Sequence, residues 1–418
     1  MSGCLILLLL ALLFMEWLYF AILTPFILLL FAGVIYFIDR EIKIDVSHNL
    51  STNRIFEKDT VEVTLHIKNK GRSIPYLELY DKLSGKIQIS NHSNYSTLYI
   101  KENEEITFKY TITCPIRGHY QIGPTHLRIK DYLGVFYREK IIDASSYLTV
   151  IPLMEEIGTI SVKGKANPYP GIMQTKQSGL GTEFFGVREY SSGDTFKRIN
   201  WKSFARWNKP MVNEYEMEST TDVIIILDAR EIQKIGTITK NPLEHGIKAA
   251  VAVASKFLKQ RDRVGLIIYG RSDGKIKWIY PESGKKQLYK IIKELVDVQP
   301  TGEFLFHGVI NIVQTHMLKK KSLIILISSL EQDQTIPQAV EHLIARNYNV
   351  IIVSPSPIDI EYLENKDDPY YQLARRILTF ERNIFLSKIR NTGARVVDWN
   401  PAIPLAASLQ EVERYQTR

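Results

Sequence analysis

The sequence predicts a multidomain protein: an apolar N-terminal helix or hairpin, then an antiparallel β-sandwich, then an α/β domain. Three observations predict this order. Residues 4–38 carry almost no charge, residues 42–150 contain short runs that alternate apolar and polar side chains, and later residues alternate apolar strands with amphipathic helices. The 418 residues are 45% hydrophobic and 23% charged, which is typical of globular proteins.

The first predicted element, residues 1–40, is a transmembrane anchor in which Glu16 supplies the charge between positions 4 and 38. The stretch Trp17–Ile38 is long enough to span a bilayer, since a spanning helix needs about 20 apolar residues. The run Leu5–Met15 is too short to cross alone, which leaves one long helix or a hairpin of two short helices. We favour the hairpin, with membrane lipid around it, both ends in the cytosol and the main body at the cytosolic face of the cell membrane.

The second predicted element, residues 41–152, is a small antiparallel β-sandwich. Val61–Ile67 and Glu105–Ile112 alternate apolar and polar residues, as half-buried strands do. Gly, Pro and Asn clusters separate such runs at short intervals. The chain has two cysteines, Cys4 and Cys114, which exclude a disulfide framework, and we expect Cys114 to be a buried small hydrophobe.

The third predicted element, residues 153–220, is a linker followed by a segment that mixes aromatic and basic residues. The run Ser192–Asp194 predicts a turn, in which Asp194 would cap the following short helix. Glu183–Glu218 holds six basic and six acidic residues, and the net charge of the chain is +8. This balance favours an ion-pair network or a protein partner over nucleic acid.

The last predicted element, residues 221–418, is an α/β domain. Val223–Asp228 is an apolar run that ends in an acid, as expected of a buried parallel strand. Asn241–Glu244 has the N-cap, proline and glutamate that open a helix. Ligands of such sheets bind at the carboxyl ends of the strands, where we expect Asp228 to lie.

No enzyme motif occurs in the sequence: it has no Walker loop, no nucleophile elbow, no His-Glu-x-x-His and no paired-cysteine zinc site. We therefore predict a protein that is not an enzyme, with no catalytic residues and no cofactor.

The aromatic and basic segment carries a family signature. It reads Arg188-x-Tyr190-x-x-Gly193-Asp194, then Arg198-x-Asn200-Trp201-Lys202 and Ala205-Arg206. This pattern resembles the core signature of domain-of-unknown-function family fifty-eight, and the stretch from Arg117 to Phe136 is similar to that family's β region. The predicted interaction residues are those of the signature: Arg188, Tyr190, Gly193, Asp194, Arg198, Asn200, Trp201, Lys202 and Arg206.

The resemblance implies a membrane-anchored protein whose last domain is similar to von Willebrand factor type A domains. Relatives are often encoded beside MoxR-type AAA+ ATPases, which implies such an ATPase as partner and a role in the assembly or maturation of other proteins. The resemblance implies no established catalytic activity.

Type A domains with a metal site present Asp-x-Ser-x-Ser after their first strand, and the matching residues here are Asp228, Arg230 and Ile232. Thr301 and Ser328 are the other weak candidates for metal ligands. Two oxygen ligands are missing and Arg230 adds a positive charge, so we predict no bound Mg²⁺. Asp228 would instead pair with Arg230 or another base, or cap a helix.

Three functional hypotheses follow from these observations. The first is a non-enzymatic scaffold that cooperates with a MoxR-type ATPase. The second is a metal-dependent adhesion or ligand receptor, and the third is an uncharacterised hydrolase.

Overall fold

The computed structural model describes residues 17–38, 43–130, 137–154, 178–216, 222–271, 273–316, 322–331, 333–362 and 369–408. The chain divides into two compact units, Met1–Ile151 and Pro152–Arg418. Each unit is described by itself.

The first helix, α1 (Trp17–Ile38), covers the longer apolar run and contains Pro25. Among the described residues, no helix combines the length and the apolar character needed to cross a membrane. This finding contradicts the transmembrane helix or hairpin predicted for residues 1–40, and with it the predicted fold class. The physical reason is that an apolar run promotes both a lipid-exposed and a protein-buried helix, and its composition does not separate the two. Within α1, Leu23 is buried, while Ile22, Phe26, Leu28 and Phe31 are exposed. The run Leu5–Met15 lies outside the described residues.

The first unit is built from strands. They are β1 (Ile44–Leu50), β2 (Arg54–Phe56), β3 (Thr60–Asn69), β4 (Ile74–Leu83), β5 (Gln88–Asn91), β6 (Tyr95–Ile100), β7 (Glu105–Thr113), β8 (Gly118–Lys130), β9 (Tyr137–Ile142) and β10 (Ser146–Ile151). Among the described residues they form two sheets, in the orders β1-β3-β7-β5 and β2-β10-β8-β4-β6, with β9 paired to β8. The pairing of β10 with β2 is parallel, and the central pairings, such as β3 with β7, are antiparallel.

Alternation of side chains explains how these strands form a core. In β3, Val61, Val63, Leu65 and Ile67 are buried, and the residues between them are not. Inward residues of both sheets meet in a single hydrophobic cluster, as in a sandwich. Cys114 is part of that cluster, and burial raises the pKa of its thiol to about 11. Cys114 is therefore the buried small hydrophobe that the sequence predicted.

The second unit begins with a small antiparallel sheet of β11 (Ser178–Glu189) and β12 (Met211–Glu216). A 3-10 turn (Phe196–Arg198) and helix α2 (Trp201–Trp207) lie between these two strands. The signature residues therefore lie in and around one bulged hairpin.

The rest of the second unit is a mostly parallel sheet with helices. Its strands are β13 (Asp222–Asp228), β14 (Arg263–Tyr269), β15 (Lys277–Glu282), β16 (Leu323–Ile327), β17 (Asn349–Pro355) and β18 (Arg395–Trp399). Among the described residues their order is β15-β14-β13-β16-β17-β18, in which β15 is antiparallel to its neighbour and the others are parallel. The helices are α3 (Pro242–Lys259), α4 (Lys285–Val296), α5 (Phe306–His316), α6 (Ile336–Ala345), α7 (Pro357–Tyr362) and α8 (Pro369–Asn391).

Both faces of this sheet are covered, because successive side chains of β13 enter different clusters. Ile225 packs with Ile247 of α3, while Ile224 packs with Val309 of α5. Such double burial is why β13 reads as a continuous apolar run. The parallel strands all end at one edge of the sheet, where Asp228 is the last residue of β13 and Ser328 follows β16.

Candidate functional site

The signature residues are held in an excursion of the chain between β11 and β12. Glu189 and Met211 are directly paired at its base, and the amide of Tyr190 donates to the carbonyl of Pro210 at 2.8 Å. Ile199 forms a further bridge to Val212. These backbone contacts close residues 190–210 into a compact segment on a two-stranded support.

Arg188 braces the base of this excursion. Its two terminal nitrogens each donate to a different carboxylate oxygen of Asp194 at 2.7 Å, and its Nε donates to Glu214 at 2.8 Å. The hydrogen bond from Arg188 is the largest cause that lowers the pKa of Asp194, to about 2, and the same contact raises the pKa of Arg188. Exposed ion pairs add little stability, but a bidentate pair fixes orientation. Arg188 and Asp194 therefore position the turn.

Asp194 closes the turn. It does not cap the following short helix, which is the role that the sequence had predicted for it. Its Oδ2 accepts a hydrogen bond from the amide of Ser191 at 2.8 Å, and Gly193 has a φ of 117° in the left-handed region. Thr195 is the N-cap of the 3-10 turn and makes no capping bond through its side chain. The prediction was wrong because Arg188 offers the carboxylate a charged donor from outside the turn.

Asn200 is the residue that caps α2. Its Oδ1 accepts from the amide of Ser203 at 2.9 Å, and its Nδ2 donates to Oδ1 of Asn213 on β12 at 2.7 Å. One side chain thus satisfies the start of the helix and ties it to the sheet. A structural role for Asn200 explains its place in the signature.

The excursion exposes large aromatic side chains next to basic ones. We call the following residues the aromatic–basic surface: Phe196, Lys197, Trp201, Lys202, Phe204, Arg206 and Trp207. Trp201 and Trp207 are 65% and 67% exposed, and the rings of Trp201 and Phe204 meet edge to face with centroids 6.1 Å apart. Exposed aromatic residues in such a group mark binding surfaces, because isolated monomers expose few of them together.

Charge is unevenly distributed over the hairpin, although the sequence of the segment is balanced. Residues 195–209 contain five basic and no acidic side chains. Three acids on the strands and the turn are paired there: Asp194 and Glu214 with Arg188, and Glu189 with Lys209 at 3.1 Å. Lys197, Lys202 and Arg206 therefore give the aromatic–basic surface a positive charge.

At the edge where the parallel strands end, the guanidinium group of Arg230 is hydrogen-bonded to Asp228, the acid that the sequence singled out. Arg230 donates to Asp228 from Nε at 3.0 Å and from Nη2 at 2.7 Å, and its backbone amide donates at 3.0 Å. The side chains of Asp228 and Arg230 are 0% and 4% exposed. Burial lowers the pKa of Arg230, but the hydrogen bonds and charge of Asp228 outweigh it and raise the pKa.

The remaining acceptor positions of Asp228 are also filled. Ser328 Oγ donates to it at 2.7 Å and Gln233 Nε2 at 2.8 Å. The hydroxyl of Thr301 donates to the carbonyl of Gln299 at 3.4 Å. Among the described residues, no three histidine, cysteine, aspartate or glutamate side chains are grouped to hold a metal ion. Of the metal candidates, Ser328 is thus hydrogen-bonded to Asp228, while the amide of Thr301 donates to the carbonyl of the neighbouring Ala229 at 3.3 Å.

Arg230 also faces a second buried acid, Asp333, with Nη1 3.8 Å from its Oδ2. Asp333 accepts from the amide of Phe306 at 3.0 Å, at the start of α5. The buried Tyr269 lies against this group with no hydrogen bond to its hydroxyl among the described residues. Burial and the charge of Asp228 raise the pKa of Tyr269.

A second buried guanidinium, Arg382 of α8, spans three strand ends and was not predicted. It donates to the carbonyl of Ser329 at 2.8 Å, to Oγ of Ser354 at 2.7 Å and to Asp398 at 2.8 Å. Sequence inspection missed it because an arginine on an amphipathic helix is usually on its solvent face. The strand ends are therefore cross-linked by two arginines.

A buried polar cluster in the first unit was also missed. His48 Nε2 lies 2.9 Å from Oδ2 of Asp81, Thr125 donates to the same carboxylate at 3.2 Å, and Tyr110 donates to it as well. Burial and Asp81 raise the pKa of Tyr110. These residues come from four strands, so their meeting depends on tertiary structure and leaves no local signal.

Known proteins support the family resemblance. Residues 186–355 match the model of a family described as "Protein of unknown function DUF58". The "Uncharacterized protein YeaD" of Bacillus subtilis (strain 168) is 21% identical over 282 residues, which cover 66% of this chain and 67% of that protein.

Similarity to solved structures is weaker. An alpha-2-macroglobulin fragment from Escherichia coli aligns at 14% identity and a TM-score of 0.24, over 28% of this chain and 18% of that one. Proximal thread matrix protein 1 from the mussel byssus aligns at 14% identity and a TM-score of 0.31, over 47% of each chain. Scores this low carry no argument, and they do not support the type A-like assignment. The family resemblance itself is confirmed at the level of a domain match: residues 186–355 match the model of DUF58, a family of unknown function.

Proposed function

We propose that this chain is a non-enzymatic interaction protein that binds a MoxR-type AAA+ ATPase through the aromatic–basic surface and acts with it in the assembly or maturation of other proteins. The observation that carries the proposal is the exposure of Trp201 and Trp207 in a segment that holds five basic and no acidic residues. The partner class comes from the family resemblance.

The chemistry of the surface specifies what its partner must offer. Tryptophan and arginine supply most of the binding energy in protein interfaces when they enter desolvated pockets. Lys197, Lys202 and Arg206 lie among the aromatic side chains, so the complementary surface is acidic around an apolar pocket. The brace between Arg188 and Asp194 supports this role, because a pre-positioned segment loses less freedom on binding.

The metal-dependent receptor is the weaker hypothesis. Divalent cations at strand ends need free oxygen ligands, and the carboxylate of Asp228 already accepts from Arg230, Gln233 and Ser328. The hydrolase hypothesis has no observation in its favour.

The proposal is tested by capture of the ATPase. Tagged full-length chain and purified MoxR-type ATPase from the same organism are mixed, and the bound fraction is measured against salt. We expect Trp201→Ala and Lys202→Glu each to weaken binding at least tenfold, and rising salt to weaken binding of the unchanged chain.

Matched controls are available in the same unit. Ile238→Ala removes another strongly exposed apolar side chain, and Lys286→Glu reverses another exposed lysine; neither should alter binding. Equal loss in test and control variants would contradict the proposal. So would retention of a single-stranded oligonucleotide by the same surface without capture of the ATPase. A saturable heat on titration with Mg²⁺ would instead favour the metal-dependent receptor.

A further inference from the structure

Helix α8 buries one face and exposes a second apolar face. Arg382, Leu386 and Ile389 are buried against the rest of the unit. On other positions of the helix, Tyr370 and Phe380 are 85% and 68% exposed. An amphipathic helix of a closed domain has one apolar stripe, so a second one needs another explanation.

Five of the six large apolar residues that α8 exposes follow a regular spacing. They are Tyr370, Leu373, Ile377, Phe380 and Ile384, each at least 46% exposed; the sixth, Leu378, is 47% exposed and lies beside this stripe at position b. The steps between the five are three, four, three and four residues, which is the pattern of the a and d positions of a two-stranded coiled coil. With a rise of 1.5 Å per residue, the stripe is about 21 Å long. This geometry fits a second helix lying along α8.

We propose that the second helix is α8 of another copy of this chain, in a parallel twofold pair. The argument is charge complementarity. With Tyr370 at position a, Arg376 takes position g and Glu381 takes the next position e, and both are exposed. In a parallel pair, a g residue faces the following e residue of the other helix. The twofold axis therefore forms the Arg376–Glu381 pair twice.

The antiparallel arrangement lacks this match. There, g positions face g and e positions face e, so Arg376 would meet Asn383 and Glu381 would meet Ala374. Flanking charges of this kind set the orientation and partner of coiled coils. Because packing against the sheet already holds α8 in shape, pairing costs little ordering entropy. A stripe of two heptads predicts a weak dimer, and this inference does not depend on the proposed ATPase partner.

Sedimentation velocity of the purified full-length chain over a range of concentrations tests the dimer. We expect Ile377→Asp to abolish it, and Thr379→Asp, an exposed position off the stripe, to leave it intact. Arg376→Glu and Glu381→Arg should each weaken it about fivefold, because each places like charges across the seam. The double reversal should restore it, which separates charge pairing from a folding defect.

Disulfide trapping tests the orientation. In a chain carrying Cys4→Ser, Tyr370→Cys and Ile384→Cys should each cross-link to themselves in a parallel pair. Cross-links between 370 and 384, without self-cross-links, would overturn the parallel arrangement. The proposal would be overturned by a chain that stays monomeric at all concentrations, or by a double reversal that fails to restore pairing. A monomer at all concentrations is also the result expected if another part of the same chain covers α8.

Discussion

Replacing Arg230 with methionine is expected to lower the free energy of unfolding of the second unit by about 3–5 kcal/mol, because it leaves the carboxylate of Asp228 buried without its cation. The two side chains are 4% and 0% exposed, so solvent cannot replace the lost partner. Ser328 and Gln233 still donate to Asp228, at 2.7 and 2.8 Å, which places the loss at the lower end of that range. Methionine keeps most of the apolar volume, so the loss reports charge more than packing.

Hydrogen exchange of β13, followed by mass spectrometry in increasing urea, measures this loss within the sheet itself. The control is Lys234→Met in the 3-10 turn Glu231–Lys234, which directly follows Arg230. Lys234 pairs with Glu231, and both are exposed, so its loss should cost less than about 0.5 kcal/mol. The double variant Asp228→Asn with Arg230→Met should recover part of the loss, because no charge is then left unpaired. Equal costs for the Arg230 and Lys234 variants, or no recovery in the double variant, would refute the reasoning.

Two further predictions concern the same unit. Gly270 has a φ of 77°, and a Cβ there would lie 2.5 Å from Cγ of Arg230, whereas Gly274 has a φ of 63° and nothing within 4 Å. Gly270→Ala should therefore cost at least about 2 kcal/mol more than Gly274→Ala in urea unfolding, and equal costs would contradict the close contact. Burial, together with Lys248 and Lys240, lowers the pKa of His245 from 6.5 to about 4, so the unfolded state binds the proton more readily between these values. The free energy of unfolding should fall as the pH drops from about 6.5 to 4, by up to about 1.4 kcal/mol per pH unit. Unfolding curves of His245→Gln, measured over this pH range, should lose this part of the slope. An unchanged slope in that variant would contradict the prediction.

Local sequence patterns were good guides where local rules decide the structure. The apolar run of β13 predicted a doubly buried strand, and β13 is buried along its whole length. The Asn241–Glu244 start was also right: α3 begins at Pro242, and Asn241 Oδ1 accepts from the amide of Glu244 at 2.9 Å. For Asp228 the sequence left open a pair with Arg230 or another base, or a helix cap, and the structure shows the pair with Arg230.

Patterns failed where distant parts of the chain meet. Arg382 lies 28 residues from Ser354 and 53 from Ser329, and only the folded sheet brings them together. His48 and Asp81 likewise lie on strands of two different sheets, and the packing of the sandwich brings them together. The prediction of a transmembrane anchor at the apolar start of the chain was wrong for another reason, because composition alone does not indicate what surrounds a helix. The ATPase partner, the absence of enzymatic activity and the cell-membrane location stay predictions.

Photo-crosslinking from position 201 tests the central claim most directly. With p-benzoylphenylalanine in place of Trp201 in the full-length chain, irradiation in cells is expected to give a covalent product that contains a MoxR-type AAA+ ATPase. The same group in place of Ile238, which is also strongly exposed, should give no such product. The absence of the ATPase from the product at position 201, or its equal appearance at both positions, would contradict the account.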